Sequence, residues 1–176
     1  PIDPPYKVNP LNLLMNSPAI AHAYENKRYF RDEFADLIRM PKYVIRHVAE
    51  LDKAAAYHGL REEFDGDFVM QDEESSGSKG THIIKNHDNY VEAVKAFKKN
   101  SSGRSIVISQ YIDGEAFSTQ VCITKYGIFS GGVQKQLVDS NFLCNTKISG
   151  ATRWCGGEIG GKYSDIVQHQ AHEMAT

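Results

Sequence analysis

An α+β fold, arranged as one or two compact lobes, is what the sequence predicts, on three observations. Short apolar runs bounded by turn residues, such as 68–70 and 82–84, read as paired strands. Stretches whose apolar residues share one helical face alternate with them, as in Tyr90, Val94 and Phe97. Between the two strand runs lies a loop of small polar residues: Ser75, Ser76, Gly77, Ser78, Lys79 and Gly80. It offers hydroxyls, an ammonium and unobstructed backbone N–H groups, the donors a polyphosphate needs, although a plain hairpin has the same look.

With 176 residues, 41% of them hydrophobic, the chain is long enough to bury a real core. A formal charge of -2 gives no electrostatic reason to expect nucleic acid or an anionic membrane as partner. No apolar run approaches the length of a membrane span. Cys122, Cys144 and Cys155 are an odd number without metal-ligand spacing, which suits reduced thiols and a cytoplasmic setting. The chain begins at Pro1 rather than Met, so a fragment of a longer protein is expected.

Taken in order, residues 1–18 carry five of the six prolines, and 1–24 reads as a linker or the remnant of a preceding domain. A helix is predicted over 19–38, with Phe30, Phe34, Leu37 and Ile38 on a core-facing side and Lys27, Arg28, Arg31 and Asp32 elsewhere. Met40-Pro41 stops it. A strand follows at 43–45, then an alanine-rich helix over 49–58 closed by Gly59. Asp65-Gly66 turns into the first of the paired strands. Asn86 or Asp88 caps a helix that ends at Lys98 and Lys99, near its negative pole, and 100–103 is a loop. Strands are predicted over 105–112 and 117–124, the latter with Phe117, Thr119, Val121 and Ile123 on one side, and Tyr126-Gly127 turns the chain back into 128–138. A glycine-rich loop at 156–161 precedes a last helix capped by Ser164, with Val167, Ala171 and Met174 aligned.

This order of parts resembles the ATP-grasp family over residues 25 to about 138, on three motifs. They are Asn26-Lys27 on a helix, the Ser/Gly loop after a strand that ends at Gln71, and the segment Ser109-Gln110-Tyr111-Ile112-Asp113-Gly114-Glu115. The resemblance implies an ATP-grasp-like α+β fold. Residues 25–112 would form a nucleotide-clamping lobe with the glycine/serine-rich hairpin loop, and 113–176 part of a second, antiparallel-sheet lobe.

In those roles, the carbonyl of Gln110 and the N–H of Ile112 would meet adenine, with Tyr111 between them and Ile112 on the purine face. Glu115 would accept from ribose hydroxyls, or else is a solvated turn carboxylate. Gln71, Ser76, Gly77, Ser78, Lys79 and Gly80 would hold the phosphates. Lys27 matches a helix lysine that reaches a phosphate, with an ordinary surface lysine as the alternative. Lys135 matches a catalytic basic residue near the terminal phosphate or acyl substrate, with an outward strand lysine as the alternative.

The resemblance further implies ATP and Mg²⁺ as cofactors, with the metal ligands expected beyond Thr176, and ligation of a small carboxylate to an amine or thiol through an acylphosphate. The chain alone would then be inactive or nearly so, and oligomers remain possible. Two departures favour a rival reading, a degenerate nucleotide-binding or sensor module. Gln71 stands where the family has a phosphate-binding lysine, and Ser109 replaces the first hinge carboxylate. Asp72, Glu73 and Glu74 also crowd negative charge beside the loop. A kinase-like transferase is disfavoured, because no HRD or DFG motif follows.

Elsewhere, His169, His172 and Glu173 could converge on a metal, but an exposed helix face is the better reading. Trp154-Cys155 reads as packing rather than a redox loop, and 156–162 as a connector rather than an anion site.

Overall fold

The structure, a computed structural model, describes residues 18–53, 55–75, 80–100, 104–124, 126–138, 154–159, 163 and 165–175. Where one helix is predicted over 19–38 there are two, α1 (Pro18–Glu25) and α2 (Lys27–Phe34). Asn26 breaks them apart: its backbone is extended (φ -73, ψ 115), and its side-chain oxygen accepts the N–H of Tyr29 at 2.9 Å. An N-cap asparagine satisfies donors that a continuous helix would have bonded to the preceding turn. No residue of α2 is buried, and Phe30, Leu37 and Ile38 are 38%, 74% and 44% exposed, so the predicted core face is not core. Phe34 packs instead on Tyr24 of α1 (5.7 Å) and on Phe30 (4.9 Å), a local aromatic cluster between the two short helices.

β1 (Tyr43–His47) leads through a 3₁₀ turn (Val48–Glu50) to α3 (Ala56–Glu63). α3 therefore starts later than the predicted helix and runs through Gly59 instead of ending there. Its stop lies at Asp65 (φ 54) and Gly66 (φ 137), where the Gly66 N–H reaches the Arg61 carbonyl at 3.0 Å and the Asp65 N–H reaches Glu62 at 3.3 Å. That pair of bonds satisfies the last carbonyls in the left-handed manner of a Schellman turn. Extending the helix brings Leu60 and Phe64 down onto the same buried cluster as Tyr57.

β2 (Phe68–Asp72) and β3 (Thr81–Ile84) form the predicted hairpin, and α4 (His87–Asn100) follows, with the Asn86 side chain accepting the Asn89 N–H at 2.9 Å. β4 (Ser105–Gln110) completes a four-stranded antiparallel sheet in the order β1-β4-β2-β3. Because side chains alternate across a strand, Phe68, Met70, Ile84, Ile106 and Ile108 all point to one face. There they form a single core with Tyr57 and Leu60 of α3 and Tyr90, Ala93, Val94 and Phe97 of α4. Each large side chain so buried contributes roughly 1.5–3 kcal/mol. The opposite face is left to α2 and to the site.

The later strands are shorter than predicted. The segment predicted as one strand over 117–124 is two, β5 (Phe117–Ser118) and β6 (Val121–Thr124), in different sheets. The segment over 128–138 splits likewise into β7 (Gly127–Ser130) and β8 (Gln134–Val138). The cause is a pinch between the two breaks: the Gly131 N–H donates to the Gln120 carbonyl at 2.7 Å, and Thr119 Oγ1 donates to the Gly131 carbonyl at 3.0 Å. β6 then pairs only with β7, while β5, β8 and β9 (Trp154–Ile159) form a three-stranded sheet. Gly156 and Gly157 are thus strand residues opposite Leu137 and Gln136, not part of a loop. α5 (Asp165–Ala175) closes the described chain with Val167 half-buried, while Ser164 lies outside the described residues.

Candidate functional site

The face of the first sheet turned away from α3 and α4 carries Tyr43, Ser109 and Val69 in one cross-strand row and Ile45, Val107, Gln71 and Thr81 in the next. α2 lies over it. Tyr43 donates to Asp32 at 3.4 Å, and burial, reinforced by Asp32, holds its phenol above the ordinary range. Arg31 stacks over the Tyr43 ring at 5.3 Å and donates to Gln71 Oε1 at 3.4 Å, while the Gln71 amide donates to Thr81 Oγ1 at 3.2 Å.

Lys27 opens α2 and fastens it to the start of the Ser/Gly loop. Its backbone N–H donates to the Glu73 carbonyl at 2.8 Å. Its ammonium donates to the Asp72 carbonyl at 3.2 Å, to the Ser75 carbonyl and to Ser75 Oγ at 3.4 Å. Burial lowers the Lys27 pKa, partly offset by the nearby Asp72 carboxylate, and Arg31 acts in the same direction as burial. At the far side of the loop Gly80 has φ +68, and a Cβ there would meet Asp72 Cβ at 3.2 Å, so glycine is required by the backbone and by space together. Ser76, Gly77, Ser78 and Lys79 lie outside the described residues.

Two of the three acids beside the loop are paired with a residue that sequence reading did not single out. Arg104, just before β4, pairs with Asp72 (3.6 Å) and Glu74 (3.5 Å), and the Glu73 carboxylate accepts the Ser105 N–H at 3.3 Å. Asp72 is buried on the core-facing side of β2, so its charge is turned away from Gln71. Only the pairing of β4 with β2 brings Arg104 there. No local pattern could have revealed it.

The hinge segment leaves the other end of the same strand pair. Phe68 is opposite Gln110, and Gln71 opposite Val107, so hinge and loop are separated by about three residues of β2, on the order of 10 Å. β4 ends at Gln110, two residues before the predicted end, which leaves Tyr111 and Ile112 beyond the ladder. The Gln110 N–H is bonded to the Lys42 carbonyl (2.9 Å) and the Tyr111 N–H to the Asp67 carbonyl (3.2 Å). The Gln110 carbonyl and the Ile112 N–H lie outside those two bonds, and the Ile112 side chain is 62% exposed. Tyr111 is capped by Lys85, 5.2 Å from its ring.

Glu115 and Lys135, predicted for ribose and terminal phosphate, are bonded to each other, and that hydrogen bond raises the lysine pKa. Lys135 sits in β8 opposite Phe117 and Glu158, its backbone N–H on the Tyr163 hydroxyl at 3.3 Å. His169 pairs with Glu173 at 3.2 Å on an exposed face of α5. Two hollows, of about 160 and 290 Å³, are lined by other residues, the larger by His22, Asn26, Tyr29 and Glu74 among others.

No protein-family model matches this sequence, and no curated protein matches it. Solved structures do. D-alanyl-alanine synthetase A from Vibrio cholerae superposes with a TM-score of 0.64 at 10% identity, over 89% of this chain and 46% of that one. The VanG D-Ala:D-Ser ligase from Enterococcus faecalis gives 0.63 at 14% identity, over 87% and 43%. Carboxyaminoimidazole ribonucleotide synthase from Aspergillus clavatus, solved with ATP, gives 0.63 at 16% identity, over 87% and 36%. These are ATP-grasp enzymes, and the chain has the fold of a part of them, spanning less than half of each.

Proposed function

We propose that this chain is the nucleotide-clamping part of an ATP-dependent ligase that joins a carboxylate to an amine or thiol. One observation carries the reading: the hinge Gln110 to Ile112 and the loop base at Lys27, Gln71 and Gly80 occupy the two ends of β2 in one sheet. That span suits a purine at one end and its phosphates at the other. The shared fold, one example of which was solved with ATP, supports it.

In this reading the Gln110 carbonyl accepts from the adenine amino group, the Ile112 N–H donates to the ring nitrogen beside it, and the Ile112 side chain covers the purine. Glu115 accepts from ribose. Lys27 and the loop N–H groups neutralise the phosphates, and Lys135 serves the terminal one. A carboxylate oxygen attacks the γ-phosphorus and ADP leaves. The amine or thiol then attacks the acyl carbon of the acylphosphate, and phosphate leaves. Among the described residues no group of three or more His, Cys, Asp or Glu side chains could hold a metal ion, so they do not fit a magnesium site by themselves, and no step here runs through one.

The rival reading, binding without turnover, is favoured by the neutral Gln71 and by Ser109, which is buried in the sheet. Calorimetric titration with ATP and with adenosine, and phosphate release measured on the chain and on any longer product of its gene, test both. Saturable binding of both compounds supports the clamp, and binding of neither overturns it. Phosphate release dependent on a carboxylate and a nucleophile selects the ligase, and tight binding without release in every form selects the sensor.

A further inference from the structure

Lys27 and Arg31 are four residues apart on α2, so they share a helix face, and that face lies on the open side of the sheet. Neither cation forms a salt bridge among the described residues, and the Asp72 carboxylate near Lys27 offsets only part of the effect of its burial. Lys27 donates to two carbonyls and a hydroxyl. Arg31 touches the neutral amide of Gln71 and the ring of Tyr43. Two acids beside the loop base, Asp72 and Glu74, form their salt bridges with Arg104.

One nitrogen of the Arg31 guanidinium, Nη1, is fully buried and has no hydrogen-bond partner among the described residues. A buried N–H of a charged group without an acceptor is costly, and the deficit vanishes when an anion enters. The guanidinium also cannot swing freely to solvent: it is stacked on Tyr43 and bonded to Gln71, whose amide is itself held by Thr81. A planar fork held in this way suits two oxygens of one phosphate group.

From this geometry we infer that Arg31 is the second cation of the phosphate site, supplying from the helix the charge that Gln71 does not supply from the strand. Gln71 is then a positioning residue: its carbonyl oxygen aims Arg31, and the ligand group is a phosphate of a polyphosphate chain beside the Lys27 ammonium. The inference rests on the nucleotide reading for the identity of the ligand but not for the existence of the anion site. It also removes one argument for a degenerate site, because the cation is relocated and not lost.

The test compares three probes by calorimetry: ATP, adenosine and inorganic tripolyphosphate, each without added metal. Arg31→Met should weaken ATP and tripolyphosphate by roughly 10- to 100-fold, the loss expected of one charge-assisted contact, and leave adenosine unchanged. Adding Gln71→Lys to Arg31→Met should recover most of the loss, since it returns a cation to the same spot. Thermal melting accompanies each variant; if the Met variant does not fold, Arg31→Gln, which can still bond the Gln71 amide, carries the same comparison. Unchanged ATP affinity, an equal loss for ATP and adenosine, or no recovery in the folded double variant overturns the inference. Wild-type protein that binds tripolyphosphate through Arg31 but not adenosine keeps this inference and sinks the nucleotide reading. Adenosine binding together with an Arg31 variant of normal ATP affinity does the reverse.

Discussion

Lys135 donates to the carboxylate of Glu115, twenty positions earlier in the chain, so the two residues assigned to opposite ends of a nucleotide hold each other. Both side chains are solvent-accessible, at 31% and 63%, and an ion pair so placed adds little to folding because water screens it. Glu115→Gln is therefore expected to leave the melting temperature unchanged. If the carboxylate accepts from ribose, the same variant weakens ATP and adenosine alike, by several-fold, because both carry the sugar. A melting temperature that drops with no change in either affinity would assign Glu115 a purely structural role.

Lys27 is a different case, since its ammonium gathers oxygens from residues up to 48 positions away and ties α2 to the loop base. Lys27→Met keeps the length of the side chain and removes these bonds. The expected cost is about 1–2 kcal/mol in denaturant unfolding, with faster proteolysis at the junction of α1 and α2. ATP affinity should fall as well, while adenosine affinity should not.

Two phenylalanines that look equivalent in the sequence should behave oppositely. Phe97 is 2% exposed within the core cluster and touches His82 edge-on at 5.1 Å, so Phe97→Ala should cost about 3–5 kcal/mol. Phe30, 38% exposed, packs on Phe34 at the α1–α2 cluster, and Phe30→Ala should cost about 1 kcal/mol or less. Urea unfolding of the two variants separates them; equal losses would mean that α2 is covered by something in solution.

That contrast shows what was legible and what was not. The hairpin of β2 and β3, the helix with Tyr90, Val94 and Phe97, and the strand beginning at Ser105 could be read because alternation, helical spacing and the Asn86 cap are local signals. Phe30 and Phe34 have the same spacing, but periodicity identifies an apolar face without saying what covers it. The split at Thr119 and Gln120 depends on a bond to Gly131, and the neutralisation of Asp72 depends on Arg104, and neither is visible without the tertiary pairing. In the candidate site, Lys27, Gln71 and the 110–112 segment carry a resemblance to family motifs, whereas Arg31 falls off the apolar face of the predicted helix and no motif marks it.

Gly59 gives a prediction that follows from the position of the α3 stop. A helix-ending glycine would resist replacement, but Gly59 is interior and exposed, and a Cβ there meets nothing within 4 Å. Gly59→Ala should therefore stabilise the protein by about 0.5–1 kcal/mol. Gly66→Ala should destabilise it, because φ +137 is a conformation that side-chain-bearing residues rarely adopt. Thermal melts of the two variants should move in opposite directions, and a loss at Gly59 would contradict the boundary of α3.

Tyr90 links the core to alkaline pH. Its hydroxyl donates to the Leu51 carbonyl, and burial, aided by Asp52, pushes its pKa from 10.0 up to about 12. Below 10.0 the phenol is neutral in both folded and unfolded chains, and its contribution is fully present. Between 10.0 and about 12 the unfolded chain releases the proton while the folded chain keeps it, so stability falls as pH rises and the contribution is lost through the folded value. Tyr90→Phe has no proton to lose. It should be less stable than wild type at neutral pH by about 1 kcal/mol, the worth of the bond, and the gap should close or invert between 10.0 and about 12. Other tyrosines and lysines titrate in the same range in both proteins, so the difference between the two unfolding curves isolates this group. Parallel curves across that window would show that the Tyr90 hydroxyl is not held neutral by the core.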